Sequence, residues 1–269
     1  MNYRHGYHAG NFADVVKHIA LVAILLHLKK KDTPFSVADS HGGRGAYDLA
    51  GEQSARTGEA EKGVARLMDL SGEMPEPLSV YLSLVRGSQL YPGSPLIAAQ
   101  LLRPQDRLVA IEKHPEESAA LKAALAPFRN ADAEQGDGYA RTLKLLPPPS
   151  RRALVLIDPP FEAPDEFSGL ASVLRDAYRK FATGIYLAWY PVKSQAERDA
   201  FIGEVLAGGI AKAMTVEIAI SVADGKLDRA GLLVINPPFG FDAAIRACGT
   251  VIAPRLAAQI STQWVAGSE

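Results

Sequence analysis

The tetrapeptide Asp158-Pro-Pro-Phe161 places an acid, two prolines and an aromatic ring directly after the apolar run 153–157. Two prolines remove two backbone N–H groups and hold the chain extended, so the Asp158 carboxylate and the Pro159 carbonyl both face outward as acceptors. Phe161 adds a flat platform beside them. Two acceptors and a platform suit a planar amine such as the N6 amino group of adenine or a side-chain amide. In an open parallel sheet, ligands bind beyond the carboxyl ends of the strands, and this acid stands at such an end. The competing reading is a rigid strand-to-loop turn with an exposed acid. A second copy, Asn236-Pro-Pro-Phe239, follows the apolar run 231–235. Its amide cannot become a proton acceptor and it closes the last predicted strand, so it is expected to be a turn.

The loop Asp39-Ser-His-Gly-Gly-Arg-Gly45 follows another apolar run and lets a ligand approach the backbone. The G-x-G-x-x-G spacing of a nicotinamide or flavin site is absent, as is the G-K-[ST] of a Walker-type site. Glu112 ends the next predicted strand, where it can accept from ribose hydroxyls or be an ordinary surface acid. Asp137, in Gln135-Gly-Asp-Gly138, is read either as a purine contact or as the N-cap of a helix beginning at Gly138. Ser94-Pro95 reads as an N-cap followed by proline, a role compatible with binding a carboxylate.

Four of the six histidines, His5, His8, His18 and His27, fall in the first 31 residues with Arg4, Lys17 and Lys29 to Lys31, against one acid, Asp14. His5 and His8 lack a nearby third ligand and no H-E-x-x-H occurs, so no metal is expected. A cationic arm that contacts phosphate and a ligand carboxylate is the more natural function, and a solvated helix start is the bland one.

These residues need a scaffold. Apolar periodicity predicts a helix over 11–31, then strands at 35–39, 108–112, 153–158, 185–189, 215–222 and 231–236. Helices are expected at 116–126, 166–181 and 197–207. Strands apolar on both faces and alternating with helices predict a doubly wound α/β fold with a mainly parallel sheet. Residues 46–105 interrupt the alternation with helical stretches at 58–70 and 77–88 and no evident strand, which predicts a helical insertion. The tail 259–265 reads equally as a final strand or a frayed helix end.

With 269 residues, 48% of them hydrophobic, the chain can bury a large core. Lys+Arg is 29 against Asp+Glu 30, which excludes a wholesale basic surface while leaving room for a local basic face. The single cysteine, Cys248, excludes a disulfide framework. The polar start and the shortness of the apolar run 19–26 predict a soluble cytoplasmic protein with no membrane partner.

Taken together, the glycine loop, the acid after strand two and the D-P-P-[FY] after strand four resemble S-adenosylmethionine-dependent amino-group methyltransferases. The segments Tyr3-Arg-His-x-x-His8-Ala-Gly-Asn11, Ala13-Asp14-Val15, Lys17-His18, Arg56-Thr-Gly-Glu59, Tyr91-Pro-Gly-Ser-Pro95, Phe181-Ala-Thr-Gly184 and Trp189-Tyr-Pro-Val192 narrow the resemblance. With them, the chain from Tyr3 nearly to Trp264 is similar to the RlmJ-type 23S ribosomal RNA adenine-N6 methyltransferases.

The resemblance implies a class I (Rossmann-like) fold: one methyltransferase domain over 1–269, with an N-terminal helix or arm over 1–31 and a helical insertion at about 46–105. It implies methylation of a single 23S RNA adenine, on free RNA or an assembly precursor, by a monomer that does not act on DNA. By motif, Lys17, His18, His41 and Ser94 line the methionine end of S-adenosylmethionine, Glu112 its ribose, and Asp137 and Gly138 its adenine. Asp158 is the catalytic acceptor, while Tyr3 and Phe161 position the target base. Two positions depart from the pattern: Phe161 replaces the usual tyrosine, and Arg44 stands where a smaller residue is expected. The rival readings are a DNA-adenine or protein-glutamine methyltransferase, and a non-catalytic RNA-binding assembly protein.

Overall fold

The computed structural model of the chain describes residues 8–51, 57–221 and 227–268. Helix α1, Phe12–Lys29, begins at Asn11, whose side chain accepts from the backbone N–H of Ala13 and of Asp14. The helix is buried on nearly all sides rather than amphipathic. Its polar side chains Asp14, Lys17 and His18 share one face, as spacings of three and four residues require. Strand β1, Ser36–Asp39, follows α1 and leads into the glycine loop.

Between β1 and the next long strand run β2 (Ala46–Tyr47), α2 (Glu59–Lys62), a 3₁₀ turn (Val64–Leu67), α3 (Glu76–Arg86), β3 (Tyr91–Pro92) and α4 (Ser94–Leu101). Contrary to the expectation of no strand here, β2 and β3 form a two-residue antiparallel ladder. Two residues are too few to show an alternation in sequence. The ladder and the Gly93 N–H, which donates to the Gly45 carbonyl at 2.8 Å, fasten the glycine loop to the start of α4.

The chain continues through β4 (Arg107–Glu112), α5 (Pro115–Leu125), β5 (Ala131–Gln135), α6 (Gly138–Leu145) and β6 (Ala153–Ile157). Then come α7 (Glu166–Lys180), β7 (Ile185–Pro191), α8 (Gln195–Leu206), β8 (Ala213–Ile220), β9 (Arg229–Ile235), α9 (Phe241–Leu256) and β10 (Ala258–Ala266). The tail is therefore a strand. It lies antiparallel to β8 at the sheet edge, so Asn236 closes the penultimate strand rather than the last.

The eight-stranded sheet has the order β10-β8-β9-β7-β6-β1-β4-β5. Strands β5, β4, β1, β6 and β7 are parallel, while β9 runs antiparallel to both β7 and β8. One core cluster joins α1, α3, α4, α5 and α9 to one face, and a second joins α6, α7 and α8 to the other. This is the doubly wound, mainly parallel α/β arrangement expected from the sequence. After β1 the chain builds outward through β4 and β5, then returns to place β6 on the other side of β1. The strand order reverses between β1 and β6, which opens a crevice beyond their carboxyl ends.

Candidate active site

Asp39 ends β1 and Asp158 follows β6, so the two acids flank the crevice. Beside them opens a cleft of about 160 Å³, which Asp158 lines while Asp39 lies buried behind its wall. Eight residues singled out from the sequence line it: Lys17, His18, His41, Ser94, Glu112, Asp137, Gly138 and Asp158. They come from α1, the glycine loop, the start of α4, the end of β4, the start of α6 and the end of β6. Tyr3 lies outside the described residues.

Lys17 reaches into the cleft from α1 and bridges two carboxylates, Asp14 at 2.7 Å and Asp158 through a short contact. Burial alone would lower this amine, but Asp14 and Asp158 raise it well above its ordinary range, so it is charged at neutral pH. Asp14 is held in turn by the Gly10 N–H at 2.9 Å. The Asp158 carboxylate is thus an acceptor already oriented by a cation, and its other oxygen is available to a ligand. His18 Nδ1 lies 2.8 Å from the Tyr91 hydroxyl.

The other acids are oriented as firmly. Glu112 accepts from the Gly43 N–H at 2.9 Å and the His114 N–H at 2.7 Å, which aims the carboxylate and leaves acceptor capacity for two hydroxyls. Asp137 caps α6 by accepting from Ala140 N–H at 3.0 Å, with Lys113 at 3.6 Å. The capping reading is therefore realised, and the side chain still lines the cleft. Gly138 allows no side chain, because a Cβ there would stand 2.0 Å from the Ser40 carbonyl oxygen.

Ser94 corrects its sequence reading. Gly93 is the N-cap of α4, and the Ser94 hydroxyl instead donates to Asp39 at 2.7 Å. A buried carboxylate needs that donor more than the helix start needs a second cap. Burial pushes Asp39 up to about 6 despite the Ser94 bond. Burial holds His41 down at about 4, so its imidazole is neutral at pH 7, with Nδ1 2.7 Å from the Ser40 hydroxyl.

Phe161 does not line this cleft. Its backbone is left-handed, with φ of 48°, so the extended path expected after the prolines ends at the ring. The ring packs edge-on against Phe167 at 4.8 Å and Trp189 at 5.6 Å, forming a partly exposed aromatic shelf three residues along the chain from Asp158. Arg44 does not line the cleft itself; its guanidinium lies 3.6 Å from Glu117, which does. The basic run also divides: Lys17 and His18 enter the cleft, whereas Lys29 to Lys31 lie at the far end of α1.

Several participants were missed in the sequence. Asp39 carried the same strand-end signal as Glu112 and Asp158. Tyr139, which donates to Glu166 at 2.5 Å across the cleft wall, and Tyr47 under the glycine loop carried no local signal. Among the described residues no group of three or more His, Cys, Asp or Glu is arranged to hold a metal ion, and no helix is long and apolar enough to cross a membrane.

The donors and acceptors fit S-adenosylmethionine: paired acceptors for a ribose at Glu112, and an acidic cleft for a sulfonium and an ammonium. A family model described as "Ribosomal RNA large subunit methyltransferase D, RlmJ" matches residues 32–266. The chain is 40% identical over 247 residues to "Ribosomal RNA large subunit methyltransferase J" of Escherichia coli (strain K12), covering 89% of this chain and 88% of that protein. It is 37% identical over 255 residues to the Haemophilus influenzae protein of the same name, covering 91% and 90%. Among solved structures, protein LPL1258 from Legionella pneumophila is similar with a TM-score of 0.88 and 32% identity, over 97% of this chain and 99% of that one. By sequence and fold together, the chain belongs to the RlmJ family of ribosomal RNA large subunit methyltransferases.

Proposed function

We propose that this protein transfers a methyl group from S-adenosylmethionine to the N6 amino group of one adenine in 23S ribosomal RNA. The reading is carried by one observation: Asp158, held by Lys17 on one side, faces the cleft that also contains Glu112, Asp137 and His41. In this reading Lys17, His18, His41 and Ser94 hold the methionine end of the cofactor. Glu112 takes the ribose, and Asp137 and Gly138 border the adenine. The bound cofactor supplies an electrophilic methyl group on a sulfonium. The protein's task is alignment and charge stabilisation.

The target base leaves its stack and lies against the Phe161 shelf, with Tyr3 helping to position the nucleoside. Asp158 and the Pro159 carbonyl accept from N6–H, directing the nitrogen lone pair at the methyl carbon. As the N–C bond forms the methyl–sulfur bond breaks, leaving neutral S-adenosylhomocysteine, and Asp158 stabilises the positive charge on nitrogen and accepts its proton. Lys17 fixes the carboxylate's direction while its own charge is balanced by Asp14. Neutral His41 adds no positive charge to repel a cationic ligand. Residues 46–105 act as a helical insertion in a single domain that works as a cytoplasmic monomer on free RNA or an assembly precursor.

The test is transfer of labelled methyl from S-adenosylmethionine to protein-free 23S RNA lacking its native modifications, followed by nucleoside analysis. N6-methyladenosine is the expected product. Label appearing only in duplex DNA or in a glutamine-bearing protein substrate would overturn the substrate, and absence of cofactor binding would overturn the enzyme reading.

A further inference from the structure

Charge is divided unevenly between the two ends of the sheet. Five carboxylates line the cleft against two lysines, Lys17 and Lys113, with Arg44 3.6 Å from one of the five, Glu117. Lys17 is held between Asp14 and Asp158, and Lys113 lies 3.6 Å from Asp137. Such a cleft favours a cationic cofactor and repels phosphate. An RNA substrate bound through the cleft end alone would meet an unfavourable field.

Cations collect at the opposite end, where the parallel strands begin. Lys29, Lys30 and Lys31 close α1, and the next turn is gripped from two sides. The Arg103 guanidinium donates to the carbonyls of Lys31 at 2.8 Å and Thr33 at 3.2 Å. Arg152 donates to the Leu28 carbonyl at 2.8 Å and the Thr33 hydroxyl at 2.9 Å. Arg107 and Arg151 stand exposed at the neighbouring strand starts. The cations are close enough to act together: burial and the nearby Lys30, Arg152 and Lys31 all lower the His27 imidazole. Three acids stand among them: Asp106, buried against Arg103 at 2.8 Å, Asp32 on this turn, and Asp132, exposed one residue into β5. Complementing a helix C-terminus accounts for Lys29 and Lys30. It also accounts for Arg152, which donates to the Leu28 carbonyl in the last turn, but not for the exposed Arg107 and Arg151, which lie outside helices.

We propose that this basic end is a second RNA contact, which holds the phosphate backbone of a segment remote from the target adenine while the cleft takes the base. The proposal rests on the reading of the protein as an RNA methyltransferase. Helix α1 joins the two contacts and sets their separation. Thirteen residues from Lys17 to Lys30 at 1.5 Å each give about 20 Å, the rise of about seven base pairs of A-form RNA duplex. A short hairpin carrying the target adenine therefore fills the cleft without reaching the basic end, whereas a domain-length RNA engages both.

The experiment compares wild type with the triple variant Lys29→Gln, Lys30→Gln, Lys31→Gln on two protein-free RNAs: a target hairpin of about four base pairs, and a long 23S fragment containing it. For the long RNA the variant is expected to raise KM without changing kcat, and to flatten the slope of log affinity against log salt by about 2 to 3. On the hairpin it is expected to match wild type. The pair Arg107→Gln, Arg151→Gln should raise KM on the long RNA and spare the hairpin in the same way, with the slope flattened by about 1.5, from a different part of the fold. Unchanged KM and slope on the long RNA in both variants would overturn the second contact, as would equal losses on the two RNAs. Wild type that methylates neither RNA would instead overturn the underlying RNA reading.

Discussion

Asp158-Pro-Pro-Phe161 and Asn236-Pro-Pro-Phe239 share nearly the same residues and both follow buried apolar strands, yet they lie at opposite ends of the sheet. Strand β6 runs parallel to β1, so Asp158 emerges at the crevice. Strand β9 runs antiparallel to β7, with Ile235 opposite Tyr186, so Asn236 emerges where β7 begins. The left-handed residue differs as well: it is Phe161 in the first copy and Asn236 in the second. Asparagine tolerates that conformation, whereas for phenylalanine it costs about 1–3 kcal/mol. In the second copy the Asn236 amide donates to the carbonyls of Ala182 at 2.8 Å and Gly184 at 2.7 Å, which makes it a structural staple. Its ring, Phe239, is 81% exposed. A motif of acceptor, prolines and ring does chemistry only where strand direction delivers it to a ligand.

Exchanging the acceptors should give the largest contrast. Asp158→Asn is expected to slow methyl transfer by about 10²- to 10⁴-fold, the range typical of a lost proton acceptor, with cofactor binding retained in a direct titration. Near-normal turnover would remove Asp158 from the mechanism. The converse, Asn236→Asp, should leave the transfer rate unchanged. It should lower stability by about 1–3 kcal/mol in denaturant unfolding, because a carboxylate cannot donate to two carbonyls.

Stability against pH sharpens the comparison further, since the cleft end carries shifted groups. Asp39 binds its proton up to about pH 6 in the folded protein and only to about 3.8 unfolded, so its contribution falls as pH rises between those values. His41 works in the other direction. The unfolded chain protonates it below about 6.5 and the folded protein only below about 4, so its contribution grows with pH. Asp39→Asn removes the first effect, and the unfolding free energy should then climb more steeply with pH than in wild type from pH 4 to 6, by an amount on the order of 1–3 kcal/mol across the window, with Tm following. A parallel Tm profile would show that Asp39 is ionised throughout. The smallest effect is expected at Phe239→Ala, within about 0.5 kcal/mol and with no change in transfer.

Much of the scaffold was legible because it rests on local pattern. The apolar runs ending at Asp39, Glu112 and Asp158 are strands, and the glycine loop follows the first of them. What escaped was short or non-local. The ladder of Ala46–Tyr47 with Tyr91–Pro92 is two residues long, and the role of Ser94 depends on Asp39, 55 positions away. The tail 259–265 was ambiguous because its strand pairs with β8 at the sheet edge, a partner that periodicity does not name.

The sequence by itself determined which residues bring acceptors, glycines and apolar strands, because side-chain chemistry and periodicity are local properties. It also marked Asp158 above Asn236, since only a carboxylate accepts a proton. The tertiary structure decided which carboxylates share a cation. Asp14 and Asp158 are 144 positions apart and meet on Lys17 only because α1 is buried against the sheet. It also decided which proline motif faces the crevice and which closes a turn behind it. A strand's direction in a sheet is set by the connections and partners it finds there, and its own residues do not encode it.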